Sequence, residues 1–582
     1  MLLSFGMLIL SISETFGIGI IIPITNLCMN LGKIKTYHIW ELFSRLTGIQ
    51  DGVVFLTFLI IIAIALFIFK AIFSVFFLYQ QQHFVYGIFS RLTSCILRSY
   101  LDKTYSFHLK HNSSVLFKNI SAEVAQFISG FLTPAIIIGS EIIVMAGIFL
   151  LLVWVYPLMT ISLVIVFSVI MVFMHFVFKK RIEASSLARE KYSEKMYKIA
   201  LEALCAVKEI KVYNASNFFI SKFFESISKY SESLVKFNII SGLPRFFLET
   251  VLITAALIIL LVNIHYQSTL IQFVPMMLIM GLAALKLLPS INKIYTNINL
   301  FQFSLNSLDI VYAILKEVDS ARIVQLGDIR EKHMPDGIDY IQLKGITFAY
   351  ESASKPIFDD LNLLIPLNRT IAFLGPTGAG KSTLIDIIMG LLTPSKGTFY
   401  YKQIVINEKN VFNYRARIGY VPQQIFLLDD TLEANIAFGL HPEEINVKNL
   451  KRAIRIAQLE SFTYELPRGL KSEVGERGVR LSGGQRQRIG IARALYRNPE
   501  VLILDEATSG IDVATESKLF SELRKQMPGL MVVLITHRLN TVEHADIIYL
   551  MENGQIVASG NYQELITTSD LFRKLTEQKV YL

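Results

Sequence analysis

The chain has 582 residues, 53% of them hydrophobic and 18% charged, with a formal net charge of +9. Soluble proteins carry about 25% charged residues, so a wholly soluble globular class is excluded and part of the chain is expected to meet lipid. The Lys and Arg residues flank apolar runs instead of clustering on one aromatic-studded soluble face, which argues against nucleic acid as a partner.

Six apolar runs, each near the roughly 20 residues that cross a bilayer, precede residue 300: 2–27, 53–78, 131–154, 157–178, 246–264 and 269–289. The first could pass for a signal peptide. It carries Glu14, has no basic start and no A-x-A-like cleavage site, so it reads as a first transmembrane helix. It begins without a hydrophilic lead, so the chain is expected to start later than its relatives and to lack an N-terminal elbow helix. The loop 29–51 places Ile39, Leu42, Phe43 and Leu46 on one helical stripe, suited either to the outer headgroup layer or to packing on neighbouring spans. Lys70 lies inside the second run, where an ammonium costs roughly 2.5–3.5 kcal/mol on insertion scales.

The connections after the second and fourth runs are long, polar and helical in pattern. They hold Arg91, Arg98, Lys103, Lys110 and Lys118, then Lys179, Lys180, Arg181, Arg189, Lys191, Lys195 and Lys198. The turns at 155–156 and 264–268 are nearly free of Lys and Arg. This asymmetry puts the long connections and the soluble half in the cytoplasm. The N-x-S/T patterns at Asn112, Asn119 and Asn214 then fall on the cytoplasmic side and are not read as glycosylation sites. Cys28, Cys95 and Cys205 are far apart and have no metal-ligand spacing, so buried free thiols are expected. The expected domains are a helical membrane domain over 1–320, a linker over 321–338 and an α/β P-loop nucleotide-binding domain over 339–582.

In the soluble half, GPTGAGKST (Gly375, Pro376, Thr377, Gly378, Ala379, Gly380, Lys381, Ser382, Thr383) follows the apolar strand TIAFL and opens an apolar helix. The strand–loop–helix setting is what makes G-x-x-x-x-G-K-[ST] a phosphate loop: backbone N–H groups and a helix N-terminus face the anion. Lys381 is expected on the β- and γ-phosphates of ATP and the Ser382 hydroxyl on Mg²⁺. VLILDE, Val501 to Glu506, reads as a buried parallel strand ending in two carboxylates. Asp505 is suited to hold Mg²⁺ and Glu506 to polarise a water.

LSGGQ, Leu481 to Gln485, opens the helix RQRIGIARAL and resembles the signature of ATP-binding cassette proteins. The resemblance covers essentially the whole chain and implies further roles. Tyr350 in ITFAY would stack on adenine. Gln423 in YVPQ would touch Mg²⁺ and sense the membrane half. Glu473 in SEVGERG would contact the partner's connections. Asp512 in SGID lies in the loop after the catalytic glutamate, where the family more often has Ala at the position of Gly510. His537 in ITHRL would contact the γ-phosphate. Six spans followed by one cassette resembles an exporter half-transporter. In that family, Ser482, Gly483, Gly484 and Gln485 of one subunit close over ATP held by the other, which implies a homodimer with two equivalent sites. Turns near 113–120 and 212–219 match the family's coupling helices.

Lys70, Arg245, Lys286 and Lys293 are cations in or near spans. They either snorkel to the interface or line a basic belt for an anionic headgroup. PRFFLE, ALKLLPSINKI and SLDIVYAI are similar to exporters that flip lipid-linked oligosaccharides, as is the outer helix YHIWELF. The expected function is ATP-driven flipping of a polyprenyl-pyrophosphate-linked oligosaccharide from the inner to the outer leaflet of the cytoplasmic membrane. The alternatives are an exporter of drugs, lipid A-like lipids or peptides, and an ATP-gated channel or regulatory subunit.

Overall fold

Backbone polar groups have no water to bond in lipid, so an apolar run must satisfy them within its own helix. Each of the six candidate spans falls on such a helix. In the computed structural model these are α1 (Leu2–Met29), α2 (Gly52–Asp102), α3 (Thr133–Val155), α4 (Pro157–Cys205), α5 (Ser216–His265) and α6 (Leu270–Phe303), followed by α7 (Leu305–Ser320). The structure describes residues 2–29, 45, 51–155, 157–265, 270–320, 340–351, 355–475, 478, 481–536 and 538–577. The amphipathic stripe in 29–51 and the linker 321–338 lie outside the described residues. By length and composition alone, three described helices qualify as spans, over 52–102, 113–154 and 216–254, or four if a pair bent by 53° after Phe303 counts as one.

The chain divides into two compact units, one of residues 1–103 with 107–325, the other of 104–106 with 326–582. In the first unit, α2, α4 and α5 run 51, 49 and 50 residues. At 1.5 Å per residue these are each roughly 75 Å long, more than twice a bilayer core, so the long polar connections are continuous helical extensions of the spans. Asp51 starts α2 by accepting a hydrogen bond from Val53 N at 2.9 Å. α4 lies along α5, and α1 packs on both α2 and α3. Of the cysteines, Cys95 is half-buried and Cys205, the last residue of α4, is exposed. The expectation of buried thiols therefore fails for Cys205, which a helix end leaves uncovered.

Between α2 and α3 the helical backbone loosens into π turns at Asn119–Glu123 and Ile128–Leu132. The first carries Glu123, whose carboxylate is fully buried. It accepts a hydrogen bond from Ser307 Oγ at 2.5 Å and lies 3.4 Å from both Lys118 Nζ and Arg189 Nη2. Arg189 also donates to Ser307 Oγ at 2.8 Å, so this one buried carboxylate joins the α2–α3 connection to α4 and α7.

The second unit is α/β. A four-stranded antiparallel sheet has the order β2-β1-β4-β5, from β1 (Tyr340–Phe348), β2 (Phe358–Pro366), β4 (Lys396–Tyr401) and β5 (Ile404–Val405). A six-stranded sheet has the order β10-β9-β3-β8-β7-β6, from β3 (Thr370–Leu374), β6 (Ile418–Val421), β7 (Val501–Asp505), β8 (Met531–Ile535), β9 (Ile547–Glu552) and β10 (Gln555–Gly560). It is parallel except for the β9–β10 hairpin. Side chains alternate faces along a strand. Ala372, Leu374, Leu502 and Leu504 therefore enter one core, and Ile371, Phe373, Val501 and Ile503 the other. With both faces covered, these strands read as unbroken apolar runs.

Candidate nucleotide site

The phosphate loop leaves the C-terminal edge of β3 and enters helix α8 (Lys381–Ile388). Gly375 passes so close to β9 that a Cβ would stand 2.1 Å from the Met551 carbonyl oxygen, so only glycine fits there. Pro376, Thr377, Gly378, Ala379 and Gly380 complete the turn. Lys381 is buried, and its ammonium donates to the carbonyls of Gly375 and Pro376, both at 2.8 Å. This holds the charge over the loop. Ser382 is exposed at the helix start, while Thr383 is buried and its Oγ1 lies 3.4 Å from the Tyr350 hydroxyl. Tyr350 packs edge-on against Phe348, at 5.2 Å between ring centroids, which sets its ring beside the loop.

Opposite the loop, β7 ends in Asp505, and Glu506 follows it. Glu506 takes a left-handed backbone, φ 48°, and donates its N–H to the Ile535 carbonyl of β8 at 2.8 Å. A non-glycine residue held this way costs of order 1–3 kcal/mol, and such strain gathers at functional sites. Gln423, two residues past β6, donates from Nε2 to Glu506 Oε2 at 2.6 Å. Burial and the neighbouring Glu506 charge push the Asp505 carboxyl up, against the Tyr420 hydroxyl and Lys381. Asp386 on α8 is pushed up to about 6 by burial and then by Asp505. Asp505 thus feels both Glu506 and Asp386 with Lys381 as its countercharge, and this excess negative charge favours a divalent cation. The donors, a serine hydroxyl, an amide and a carboxylate, are the oxygens Mg²⁺ prefers when it shares its shell with phosphates.

The signature opens helix α9 (Gly483–Tyr496) through a reciprocal cap. Ser482 Oγ accepts from Gln485 N at 3.2 Å, and Gln485 Oε1 accepts from Ser482 N at 2.8 Å. A Cβ on Gly484 would stand 2.6 Å from the Gly510 carbonyl oxygen, so the signature and the loop 508–512 are in direct contact. Gln487 fastens them: its amide donates to Ser509 Oγ at 2.8 Å and accepts from Gly510 N at 2.6 Å. Arg538 grips the other side of the same loop, donating to the carbonyls of Thr508, Ile511 and Ser509. Asp512 caps helix α10 (Val513–Gln526) by accepting from Thr515 N at 2.9 Å, and these bonds hold its carboxyl below the usual range. His537 lies outside the described residues. Glu473 is exposed and pairs with Arg468 at 3.3 Å.

Asp386, Tyr420, Gln487 and Arg538 were not anticipated from the sequence. Asp386 has a signal, an acid on an otherwise apolar helix beside the phosphate loop. Gln487 and Arg538 have none, because their partners are 22–30 residues away in sequence.

In the membrane unit the cations are matched by acids. Lys70 Nζ lies 2.6 Å from Glu14 of α1, Arg245 Nε 2.9 Å from Glu249, and Lys293 Nζ 2.7 Å from Glu141. Lys70 and Glu14 are both largely buried, so Lys70 is neither a snorkelling residue nor an uncompensated charge. Arg245 and Lys293 remain 65% and 59% exposed. Lys286 is on α6, and its side chain lies outside the described residues.

A phosphate loop, a Gln–Glu pair across from it and a capped LSGGQ helix on an α/β sheet define a P-loop nucleotide-binding domain. Residues 358–509 match the ABC transporter family, and residues 33–285 match the ABC transporter transmembrane region. The chain therefore carries an exporter-type membrane domain followed by an ABC nucleotide-binding domain. It is 31% identical over 386 residues to the ATP-dependent lipid A-core flippase of Burkholderia thailandensis, covering 65% of this chain and 62% of that protein. It is 36% identical over 283 residues to the probable multidrug resistance ABC transporter ATP-binding/permease protein YheI of Bacillus subtilis, covering 48% and 47%. To the putative export ATP-binding/permease protein RT0691 of Rickettsia typhi it is 36% identical over 247 residues, 42% of each chain. The chain thus spans between about two-fifths and three-fifths of the length of these relatives. A solved bacterial Atm1-family ABC exporter with ATP bound superposes with a TM-score of 0.79, at 19% identity and over 98% of this chain and 96% of that one.

Proposed function

We propose that two copies of this chain form an ATP-driven exporter that moves an amphipathic, lipid-like molecule outward across the cytoplasmic membrane. The observation that carries this is the Gln423–Glu506 pair facing an intact phosphate loop, in a chain that also holds an exporter-type membrane domain. Backbone N–H groups of 377–383 and Lys381 bind the phosphates, and Tyr350 receives the adenine. Ser382, Asp505 and Gln423 are the residues that would hold Mg²⁺, which offsets phosphate charge when bound. Glu506 takes the proton of the attacking water, and His537 orients the γ-phosphate. Ser482 and Gly484 of the second copy close the site, and Asp512 lines that contact.

The substrate class follows the relatives, which include a lipid A-core flippase and a probable multidrug resistance transporter. This favours a lipid A-like lipid or a drug-like amphiphile over the narrower expectation of a polyprenyl-pyrophosphate-linked oligosaccharide. The pairing of Lys70, Arg245 and Lys293 with carboxylates points the same way, because it leaves less net charge for a pyrophosphate. The narrower reading retains the exposed guanidinium and ammonium of Arg245 and Lys293, and it requires that Arg245→Ala stop flipping while ATPase activity survives. The deciding experiment reconstitutes the full chain in proteoliposomes and compares parent and Glu506→Gln. ATP-dependent movement of a labelled lipid A-type lipid, abolished in Glu506→Gln with nucleotide binding retained, is expected. Unchanged transport by Glu506→Gln would overturn the assignment.

A further inference from the structure

α4, α5 and α6 share an apolar core of Ile182, Phe237, Ile240 and Phe303. Phe237 stacks on Phe303 with ring centroids 4.2 Å apart, and Leu248 shares a second core with Leu287 and Ile291. α5 and α6 therefore run antiparallel, and one turn from the stacked pair Ser241 of α5 stands level with Asn299 of α6. Both are buried. The Ser241 hydroxyl has no hydrogen-bond partner among the described residues. The Asn299 amide bonds the Tyr295 hydroxyl one turn earlier, and whichever end of the amide makes that bond leaves the other end unmatched. Gln302 follows on the same helical stripe. Its amide nitrogen lies 3.5 Å from His175 Nε2 on α4, while its carbonyl oxygen is buried and unmatched.

Buried polar groups are matched in folded proteins with few exceptions, by protein or by ordered water. A buried water makes about three hydrogen bonds, and one hydroxyl and two amides can supply them. The Gln302 oxygen needs a donor, which an anion lacks. These side chains include no carboxylate, so a cation would sit among them without a countercharge. The place also matters, because α6 and α7 meet at 53° after Phe303. At that bend the bonds are direct: Ser186 Oγ of α4 donates to the Phe303 carbonyl at 2.6 Å, and Gln126 Nε2 donates to Ser304 Oγ at 2.7 Å. One turn earlier, Asn299 has no partner on α4 or α5 among the described residues.

We propose that ordered water occupies this junction, bound by Ser241, Asn299 and Gln302, and joins α6 to α4 and α5 through exchangeable bonds beside the bend. Water-mediated bonds are nearly as favourable as direct ones, yet they re-form after a shift that would break a direct bond. The chain is thus pinned on the α7 side of the bend and free to swivel on the α6 side. The water site goes beyond the exporter reading and does not depend on it.

The test is hydroxyl-radical labelling by a synchrotron X-ray pulse, which turns bound water into a label for the side chains beside it, on the full chain in nanodiscs. Phe303 is 2% exposed and Phe167, in the apolar core shared with Leu248, 4%. With water at the junction, Phe303 should be oxidised several-fold faster than the equally hidden Phe167. Asn299→Val should lower labelling of Phe303 and Tyr295 several-fold and leave Phe167 unchanged. Ser241→Ala, a milder change that decides the matter if Asn299→Val does not fold, should lower it in the same direction. Phe303 labelled no faster than Phe167, or unchanged in the folded variants, overturns the water site. Labelling that changes when N-methylglucamine replaces Na⁺ and K⁺ marks an alkali-cation site and also overturns it. The Phe303 rate should further differ between the nucleotide-free and ATP-bound chain. Equal rates in a preparation that hydrolyses ATP overturn the swivelling and leave the water site standing.

Discussion

Replacing Glu123 by alanine removes the only carboxylate from a cluster that also holds Lys118 and Arg189, all three buried. The two cations lie 3.4 Å from it, and Ser307 donates to it at 2.5 Å. Removing one partner of a buried ion pair costs about 3–5 kcal/mol, because the remaining charges stay desolvated. The lost Ser307 bond, worth about 1.5–3 kcal/mol to a charged acceptor, overlaps with that figure and is not added to it. Thermal unfolding in detergent, followed by loss of helical dichroism, should show Glu123→Ala melting well below the parent, with nucleotide binding kept as a check on the cassette. Glu123→Gln, which retains an acceptor for Ser307, should fall between. Replacing all three members by apolar residues of similar size should harm less than Glu123→Ala alone. The pH dependence gives a second readout. Burial raises this carboxyl, but Arg189, Ser307 and Lys118 together outweigh it and hold it below its ordinary 4.5. A depressed folded value means the contribution is complete above the unfolded value and is lost as pH falls through the folded one. The gap between parent and Glu123→Ala should therefore be flat above about pH 5 and narrow below it. An unchanged melting midpoint, or a gap that widens on acidification, would refute the reasoning.

Glu14→Ala should destabilise the membrane unit more than the double change Glu14→Leu/Lys70→Met, since the single change strands an ammonium between α1 and α2; thermal unfolding of the three proteins decides it. Asp386→Asn should alter the acid response of the cassette. Its carboxyl is raised from 3.8 to about 6, so protonation stabilises the fold, fully below the ordinary value and not at all above about 6. The parent should gain stability on acidification across that window and the Asn variant should not, as read by denaturant midpoints of the full chain at each pH. The partial exposure of Asp386 makes the effect smaller than the shift alone implies.

The two-part architecture was legible because each half has its own period. Unbroken apolar runs announced the helices, and short apolar strands closing on glycine turns announced the sheet. The phosphate loop, the Asp505–Glu506 pair and the signature were equally legible, since each is a local string whose flanks fix its geometry. What escaped was whatever depends on pairing at a distance. Lys70 looked like part of a basic belt because Glu14, 56 residues earlier, showed no link to it in the sequence. The extent of α2, α4 and α5 was understated for another reason: hydropathy marks where lipid ends, not where the helix does. Gln487 and Arg538 were invisible because, the Ser509 hydroxyl apart, their bonds run to backbone atoms of 508–511, which any residue there supplies.

That double fastening has a mechanical result. With Gln487 on one flank and Arg538 on the other, residues 508–511 have no slack against α9. A tug delivered at Ser482 passes through Gln487 to residues 508–511, and from them to Asp512 and Arg538. Whatever seizes the tip of this helix therefore shifts three separate stretches of sequence in one stroke, as a key turns every lever of a lock together.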